Sequence, residues 1–439
     1  MDEAERLGEA LVGLALEGRL APEDEPRYRA ALLNYLGVAL AGSHEPSVEA
    51  FVRSRAALSP GTHTPLGRSE GLSLTDCVMA DCYASSAQAY DDIHFATTTH
   101  PAGPVASAVL GVARLRDVRV REAVQALAVG MEVECRLGLA LFSQGTSVAQ
   151  GWYTTGVVGG IGAAAAVGRL LGLDREHMVS ALGWAAAAAC GVRGTHGSAA
   201  GAFVPALAAR AGLEAALLAR DGLDCGISAL TGANGLIRCV AKTPACDRGL
   251  EGIGEAWVSA ETSCKPYPFG FVAFAAVDVA LELADDMRQV RSLRTLDVVV
   301  SPRAARLGGN PLPSSADEAI VSIPYLVART LVDPSSVSRP LPSQFFISSR
   351  EGEILGSTRI VSDPALADSA ACISLNDGEL EVVCESARGS AKNPLAVSEV
   401  IDKFQLICGL VDPCRMVDAV MRDDCDLGAL LTGVSRGRQ

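Results

Sequence analysis

The stretch GWYTTGVVGGIGAAAAVGRLLGLD, residues 151–174, decides the fold. Its apolar run Gly156–Gly168 spans 13 residues and is built mostly of Gly and Ala. A helix apolar on every face has to be enclosed by other helices. Small side chains let those neighbours come close. A second run, Met178–Val192, spans 15 residues and has the same texture. Both fall short of the roughly 18–20 residues that cross a bilayer, so they read as buried helices. Gly160-Ile161-Gly162-Ala163-Ala164-Ala165 partly matches a dinucleotide-binding fingerprint. That pattern binds a pyrophosphate only after a strand, in a βαβ unit, whereas this copy lies inside an Ala-rich helix.

On both sides of this stretch, helical spacing predicts Ala4–Leu16, Arg27–Ala41, Leu74–Ala89, Ala106–Leu115, Arg121–Leu141, Val157–Leu171, Arg175–Cys190 and Ala202–Arg220. No strand alternates clearly before residue 290, and no long internal repeat is visible. The texture changes near residue 262. Leu293–Val300, Gln344–Ser348 and Glu379–Cys384 read as strands, with Ala319–Leu331 as a helix between them. Asn376-Asp377-Gly378 marks a hairpin, because Gly accepts the positive φ of the turn. Helices return at Val397–Cys408 and Asp412–Arg422. The chain therefore divides into a helical body at 1–261, an α+β domain at 262–392 and a helical tail at 393–439 that returns to the body.

Composition limits the function. The chain has 439 residues, 49% of them hydrophobic, enough for a large core. A net charge of −14 and an aromatic content of 5% argue against nucleic acid and against an anionic membrane surface as partners. The 13 cysteines include no C-x-x-C pair, which speaks against a disulfide framework or a zinc ribbon. The amino-terminal residues show no signal-peptide pattern, and free thiols suit a reducing cytoplasm. P-loop, G-x-S-x-G and H-E-x-x-H motifs are absent.

The densest polar cluster is Tyr90-Asp91-Asp92-Ile93-His94, then Thr97-Thr98-Thr99-His100-Pro101. Three readings apply. Asp91, Asp92, His94 and His100 could ligate a metal. A carboxylate could orient a histidine for proton transfer. The residues could also serve only as loop hydrogen bonds and caps. His196, in the Gly-rich stretch Arg193–Ser198, is a second candidate or else a solvated loop residue.

The residues resemble the MmgE/PrpD family, which includes 2-methylcitrate dehydratase, cis-aconitate decarboxylase and iminodisuccinate epimerase. The likeness runs through AYDDIHFATTTHPAGPV at 89–105, the stretch at 151–174, ALGWAAAAACGV at 181–192 and GLEAALLARDG at 212–222. It continues through KPYPFGFVAFAAVD at 265–278, EAIVSIPYLVARTLVD at 318–333 and NPLAVSEVIDKF at 393–404. The resemblance implies a homodimer with a large all-helical domain formed by both chain ends and an inserted α+β lid domain. It implies an active site in the cleft between them and no metal or organic cofactor. It also implies proton removal beside a carboxylate, then loss of water, loss of CO2 or return of the proton. By motif, His100 and Tyr325 would be catalytic with Asp91 and Asp92, and Lys265 would bind substrate.

This chain departs from the family pattern at several positions. Ala89 stands where an acidic residue is usual, and Tyr153 and Phe274 stand where histidines are. Gly201 and Val204 replace a Lys and a His. His196 could take over part of the lost function. A tricarboxylate brings about three negative charges, and an uncompensated buried charge costs several kcal/mol. A pocket lined by Ala89, Tyr153, Gly201, Val204 and Phe274 suits a less charged, more apolar small molecule. The expected function is a cofactor-independent acid–base lyase or isomerase in a specialised biosynthetic pathway. The alternative is a catalytically inactive, ligand-binding homologue.

Overall fold

The computed structural model describes residues 1–143, 151–196, 198–287, 293–342, 344–422 and 424–435. The chain separates into two compact units, Met1–Cys264 with Ala396–Gln439, and Lys265–Leu395. The first is helical. The helices Glu3–Glu17, Glu25–Gly42, Pro46–Leu58, Leu74–Ala87, Ala102–Ala113, Val120–Phe142, Thr154–Leu171, Arg175–Ala187 and Ala199–Arg220 are joined by Val397–Ile407, Pro413–Met421 and Leu427–Ser435. Pro46–Leu58 and Leu427–Ser435 add to the helices that the sequence pattern predicts. The first unit also holds three short strands, β1 (Pro60–His63), β2 (Asp92–Ile93) and β3 (Ser263–Cys264).

Small residues set the packing of this unit. The Thr154–Leu171 helix is buried along nearly its whole length. Two glycine contacts bring it against its neighbours. A Cβ added at Gly162 would lie 2.6 Å from the Gly130 carbonyl of Val120–Phe142. A Cβ added at Gly212, on Ala199–Arg220, would meet Ala163 Cβ at 2.4 Å and the Gly160 carbonyl at 2.5 Å. Gly160 and Gly162 therefore lie mid-helix as packing residues, with no strand before them. Among the described residues two helices, Thr154–Leu171 and Ala199–Arg220, are long and apolar enough to cross a membrane by length and composition alone. They pack on each other inside the body. Arg136 is wholly enclosed in the same body. It pairs with Glu132 at 2.6 Å and donates to the carbonyls of Gly249, Glu251, Gly252 and Ala256.

The second unit is α+β. Its sheet runs β5–β4–β6–β7, where β4 is Leu296–Val300, β5 Thr358–Ser362, β6 Ala371–Leu375 and β7 Leu380–Cys384. β4 is parallel to β5 and antiparallel to β6, and β6 is antiparallel to β7. Leu296, Val298, Val300, Ala371, Ile373 and Leu375 alternate inward. They share a core with the helices Phe274–Met287 and Ile323–Val332. Two local expectations are corrected. Gln344–Ser348 is not a strand but the approach to a helix, Ser349–Ser357, started by a Ser348–Glu351 capping box. The strand that pairs parallel to β4 is instead β5. The helix expected from Ala319 breaks at Ile320–Ser322 and restarts where the Ser322 hydroxyl accepts the Tyr325 N–H. In the β6–β7 turn, Asn376 and Asp377 take positive φ of 49° and 62° beside Gly378 at 98°.

The glycine contacts give an opposing pair of expectations. Gly212→Ala should lower stability by about 1–3 kcal/mol, since backbone and a methyl already fill the space. Gly13→Ala, in a helix with nothing within 4 Å of the added carbon, should raise it by a few tenths to about 1 kcal/mol. Urea denaturation of both variants checks the pair, and equal shifts would refute the packing argument.

Candidate active site

The site grows from the turn after Leu74–Ala87. Ala89 takes φ 50°, a left-handed conformation uncommon for alanine, and turns the chain into buried Tyr90. Asp92 and Ile93 then pair with Cys264 and Ser263 as β2 and β3. The next turn closes when the His94 N–H donates to the Thr99 carbonyl at 2.9 Å. Thr154 and Thr155, at the start of the Thr154–Leu171 helix, anchor the end of that turn. Thr154 Oγ1 donates to the Thr98 carbonyl at 2.7 Å, and the His100 N–H donates to Thr155 Oγ1 at 2.9 Å. His100 is thus held at the positive end of one helix and just ahead of the next.

The ring of His100 is oriented from behind. Its Nδ1 lies 2.6 Å from the Asp92 carbonyl oxygen and 3.2 Å from Asp91 Oδ2. A carbonyl only accepts, so Nδ1 carries the hydrogen and the neutral ring has its lone pair on Nε2. The two aspartates therefore act differently. Asp91 offers its carboxylate to the ring. Asp92 offers its carbonyl, while its Oδ2 accepts the Ala102 N–H at 3.0 Å, at the start of Ala102–Ala113.

Tyr153 and His196 meet edge to face, with ring centroids 4.5 Å apart. Burial pushes the Tyr153 phenol well above its usual range, the Asp91 carboxylate adds to this, and Arg193 opposes it. Tyr153 is therefore a neutral hydrogen-bonding group with Asp91 and Arg193 in its surroundings. The segment with Arg193 and exposed His196 is strapped to the approach to the helix. The Tyr153 N–H donates to the Gly191 carbonyl at 3.1 Å, and the Arg193 N–H to the Gly151 carbonyl at 2.7 Å. Gly197 lies outside the described residues. Gly201 lies against this loop, where an added Cβ would come within 3.1 Å of the Thr195 carbonyl. Val204 is buried packing: a Cβ at Gly156 would meet its Cγ1 at 2.4 Å.

Two family domains match the chain that carries this geometry. The MmgE/PrpD N-terminal domain matches residues 19–248, and the MmgE/PrpD C-terminal domain matches residues 267–423. The chain belongs to the MmgE/PrpD family. It is similar to a cis-aconitate decarboxylase of Aspergillus terreus, 23% identical over 430 residues that cover 89% of this chain and 87% of that protein. A cis-aconitate decarboxylase-like protein of Aspergillus oryzae, oryM, is 31% identical over 217 residues, covering 46% of this chain and 45% of that protein. Family and relatives together make this MmgE/PrpD chain a lyase-type enzyme.

Three other residues assigned from the MmgE/PrpD motifs belong to the second unit. Tyr325 is buried in Ile323–Val332 with its ring 5.2 Å from Phe345, and burial raises its hydroxyl pKa, helped by Glu351. Lys265 is buried at the start of that unit. Phe274 lies in the aromatic core of that unit. Its ring lies 5.7 Å from Tyr267 and 5.8 Å from Phe269, with none of it exposed.

Asp91, Asp92 and His100 each bring one possible ligand atom within 4.8 Å of the others, so these three could hold a cation. Nδ1 of His100 and Oδ2 of Asp92 already hold hydrogen bonds within the protein. His94 is not part of this group. Its Nδ1 lies 2.8 Å from Thr97 Oγ1, and burial lowers its pKa to about 4, so it is a neutral structural ring.

Sequence reading misses three charged or acidic groups here. Arg193 stands inside the quoted loop without a role. Lys403 occupies the buried face of Val397–Ile407 with Val400 and Phe404, and a charge at an apolar-face position is the available signal. Glu134, on Val120–Phe142, is fully buried, with neither carboxyl oxygen hydrogen-bonded among the described residues. Burial pushes its pKa well above the usual 4.5, and Asp92 adds to the shift. Both effects favour the protonated form of this acid behind the site.

The raised Glu134 pKa fixes the sign of a pH dependence. Below about pH 4.5 both folded and unfolded chains hold the proton, and this group contributes its full stability. Above that, only the unfolded chain ionises, so stability falls by up to about 1.4 kcal/mol per pH unit until the folded acid titrates. Glu134→Gln should remove that slope. Urea denaturation at pH 5 and pH 8 should show the variant gaining on the wild type at the higher pH. An unchanged difference would mean that Glu134 is ionised in the folded protein.

Proposed function

We propose that this protein is a cofactor-independent acid–base lyase acting on a mono- or dicarboxylic acid, with His100 as the group that takes and returns the proton. The observation that carries this reading is the committed Nδ1 of His100, held by the Asp92 carbonyl and Asp91 Oδ2. Nε2 is then the basic nitrogen. It removes a proton beside the substrate carboxylate or carbonyl, and the imidazolium that forms pairs with Asp91. In dehydration the same proton goes to the leaving oxygen; in decarboxylation no proton is removed first, and the protonated ring delivers a solvent-derived proton to the carbon that loses CO2. A ring whose ordinary pKa is near 6.5 suits both directions of transfer near neutral pH. Tyr153 donates a hydrogen bond to the enolising oxygen, and Arg193 pairs with a substrate carboxylate.

Charge supports the substrate class. The relatives are named for cis-aconitate, a tricarboxylate. Here Gly201, Val204, Tyr153 and Phe274 bring no charge where the family pattern has a Lys and histidines, and Asp91 and Asp92 add negative charge, which leaves fewer cations to receive three carboxylates. An acid with one or two carboxylates meets the smaller desolvation penalty.

The test is proton exchange and turnover in D2O, monitored by NMR. The panel holds cis-aconitate and mono- and dicarboxylic acids with a proton beside the carboxylate. Wild-type protein should exchange or convert one of the less charged acids faster than cis-aconitate. His100→Ala should slow it by about 10²–10⁴-fold. Added EDTA should leave the rate unchanged. Full activity in His100→Ala would remove the assigned role. Faster cis-aconitate turnover would overturn the substrate class, and loss with EDTA restored by a divalent ion would overturn cofactor independence.

A further inference from the structure

The ammonium of Lys403 is buried, with 7% of the residue exposed. Nζ donates to Asn34 Oδ1 at 2.7 Å and to the Tyr90 carbonyl at 2.7 Å, and lies 3.9 Å from the centre of the Tyr90 ring. Taking an ammonium out of water is costly, and hydrogen bonds and the ring face offset that in part. Joining Val397–Ile407 to Glu25–Gly42 does not require that charge. Phe404, the next residue, packs so closely on Gly37 that a Cβ there would lie 2.9 Å from its ring. What the charge adds is a grip on one carbonyl. That carbonyl belongs to the residue between Ala89, with its left-handed φ of 50°, and Asp91. A non-glycine residue there is strained and persists only where its surroundings hold it.

We propose that Lys403 is a positioning residue for His100: by clamping the Tyr90 carbonyl, it fixes the Asp91–Asp92 segment that holds His100 Nδ1. The proposal rests on the acid–base reading of His100. Several ionisable groups surround that segment. Glu134 faces Asp92 from Val120–Phe142, and Cys264 lies opposite Asp92 in β3. His94 stands in the next turn, and Tyr153, Arg193 and His196 approach from the Thr154–Leu171 side. Lys403 and Asp92 both act on the Cys264 thiol, whose pKa burial pushes up to about 12. The ammonium is therefore close enough to the aspartates for its removal to be felt at the His100 ring.

The experiment uses the full chain with histidine ring labels for NMR titration, and amide hydrogen exchange on the same samples. Lys403→Met keeps the stem and removes the charge. It should raise the His100 pKa by about half a unit or more, because the aspartates lose a compensating cation. Exchange at residues 90–94 should quicken at least about tenfold, while the amides of Glu25–Gly42 stay protected. Lys403→Arg should restore the titration. An unmoved His100 titration in folded Lys403→Met, or exchange that quickens equally through Glu25–Gly42 and Val397–Ile407, would overturn the proposal in favour of packing alone. If Lys403→Met does not fold, Asn34→Leu takes away one acceptor and leaves the charge. Exchange at residues 90–94 should again quicken, and unchanged exchange there would equally refute the clamp. Turnover separates the two readings. The expected shifts in a protein inactive on every acid would sink the lyase reading alone, and normal turnover with no shift would sink the clamp alone.

Discussion

Everything in the helical unit depends on how closely backbones approach the Thr154–Leu171 helix. At Gly130–Gly162 and at Gly160–Gly212 the facing chains leave no room for a side chain. Interiors packed this tightly transmit position instead of absorbing displacement. The helix cannot slide along its axis without driving carbonyls into carbons. Its first turn therefore has a defined place, and Thr154 and Thr155 reach the Thr98–His100 segment from it. The geometry of the candidate site is inherited from contacts between residues that carry no chemistry.

Charges buried in such a body divide by how fully they are answered. Arg136 has a carboxylate and four carbonyls around it, and it ties the segment around residues 249–256 to Val120–Phe142. Glu134, two residues away on the same helix, has no such shell among the described residues, and burial favours its protonated form. Asp92 is spent on a helix start, which leaves Asp91 to face the imidazole. A single pair of adjacent aspartates thus supplies a structural cap and a partner for a titrating ring.

The helical texture is legible in the sequence because period and length are local properties. The breaks at Gly172, and at Asp174 as a helix cap, come from chemistry that needs no tertiary context. The hairpin at Asn376–Gly378 is legible for the same reason. Gln344–Ser348 misleads because its aromatic and β-branched residues fit a strand equally well, and they outweigh the two-residue signal of the Ser348–Glu351 box that starts a helix. In the site, the proximity of Asp91 and His100 can be read from one short segment. Val204 and Phe274 cannot, since which face of a helix a side chain takes depends on partners distant in sequence. Lys403 is hidden for that reason too, as it reaches a carbonyl 313 residues earlier in the chain.

That last separation bears on the order in which the protein is made. At roughly 5–20 residues per second, the Tyr90 turn leaves the ribosome about 15–60 seconds before Lys403 does. Through that interval the preceding helices can pack, and the whole of residues 265–395 can be synthesised, with the ammonium still missing from its place beside Asn34. The nascent helical unit is then an open mould, closed only when its returning segment arrives. A translation pause before residue 397 would hold the chain in a compact but unfinished form, with the seat for Val397–Ile407 on Glu25–Gly42 still vacant.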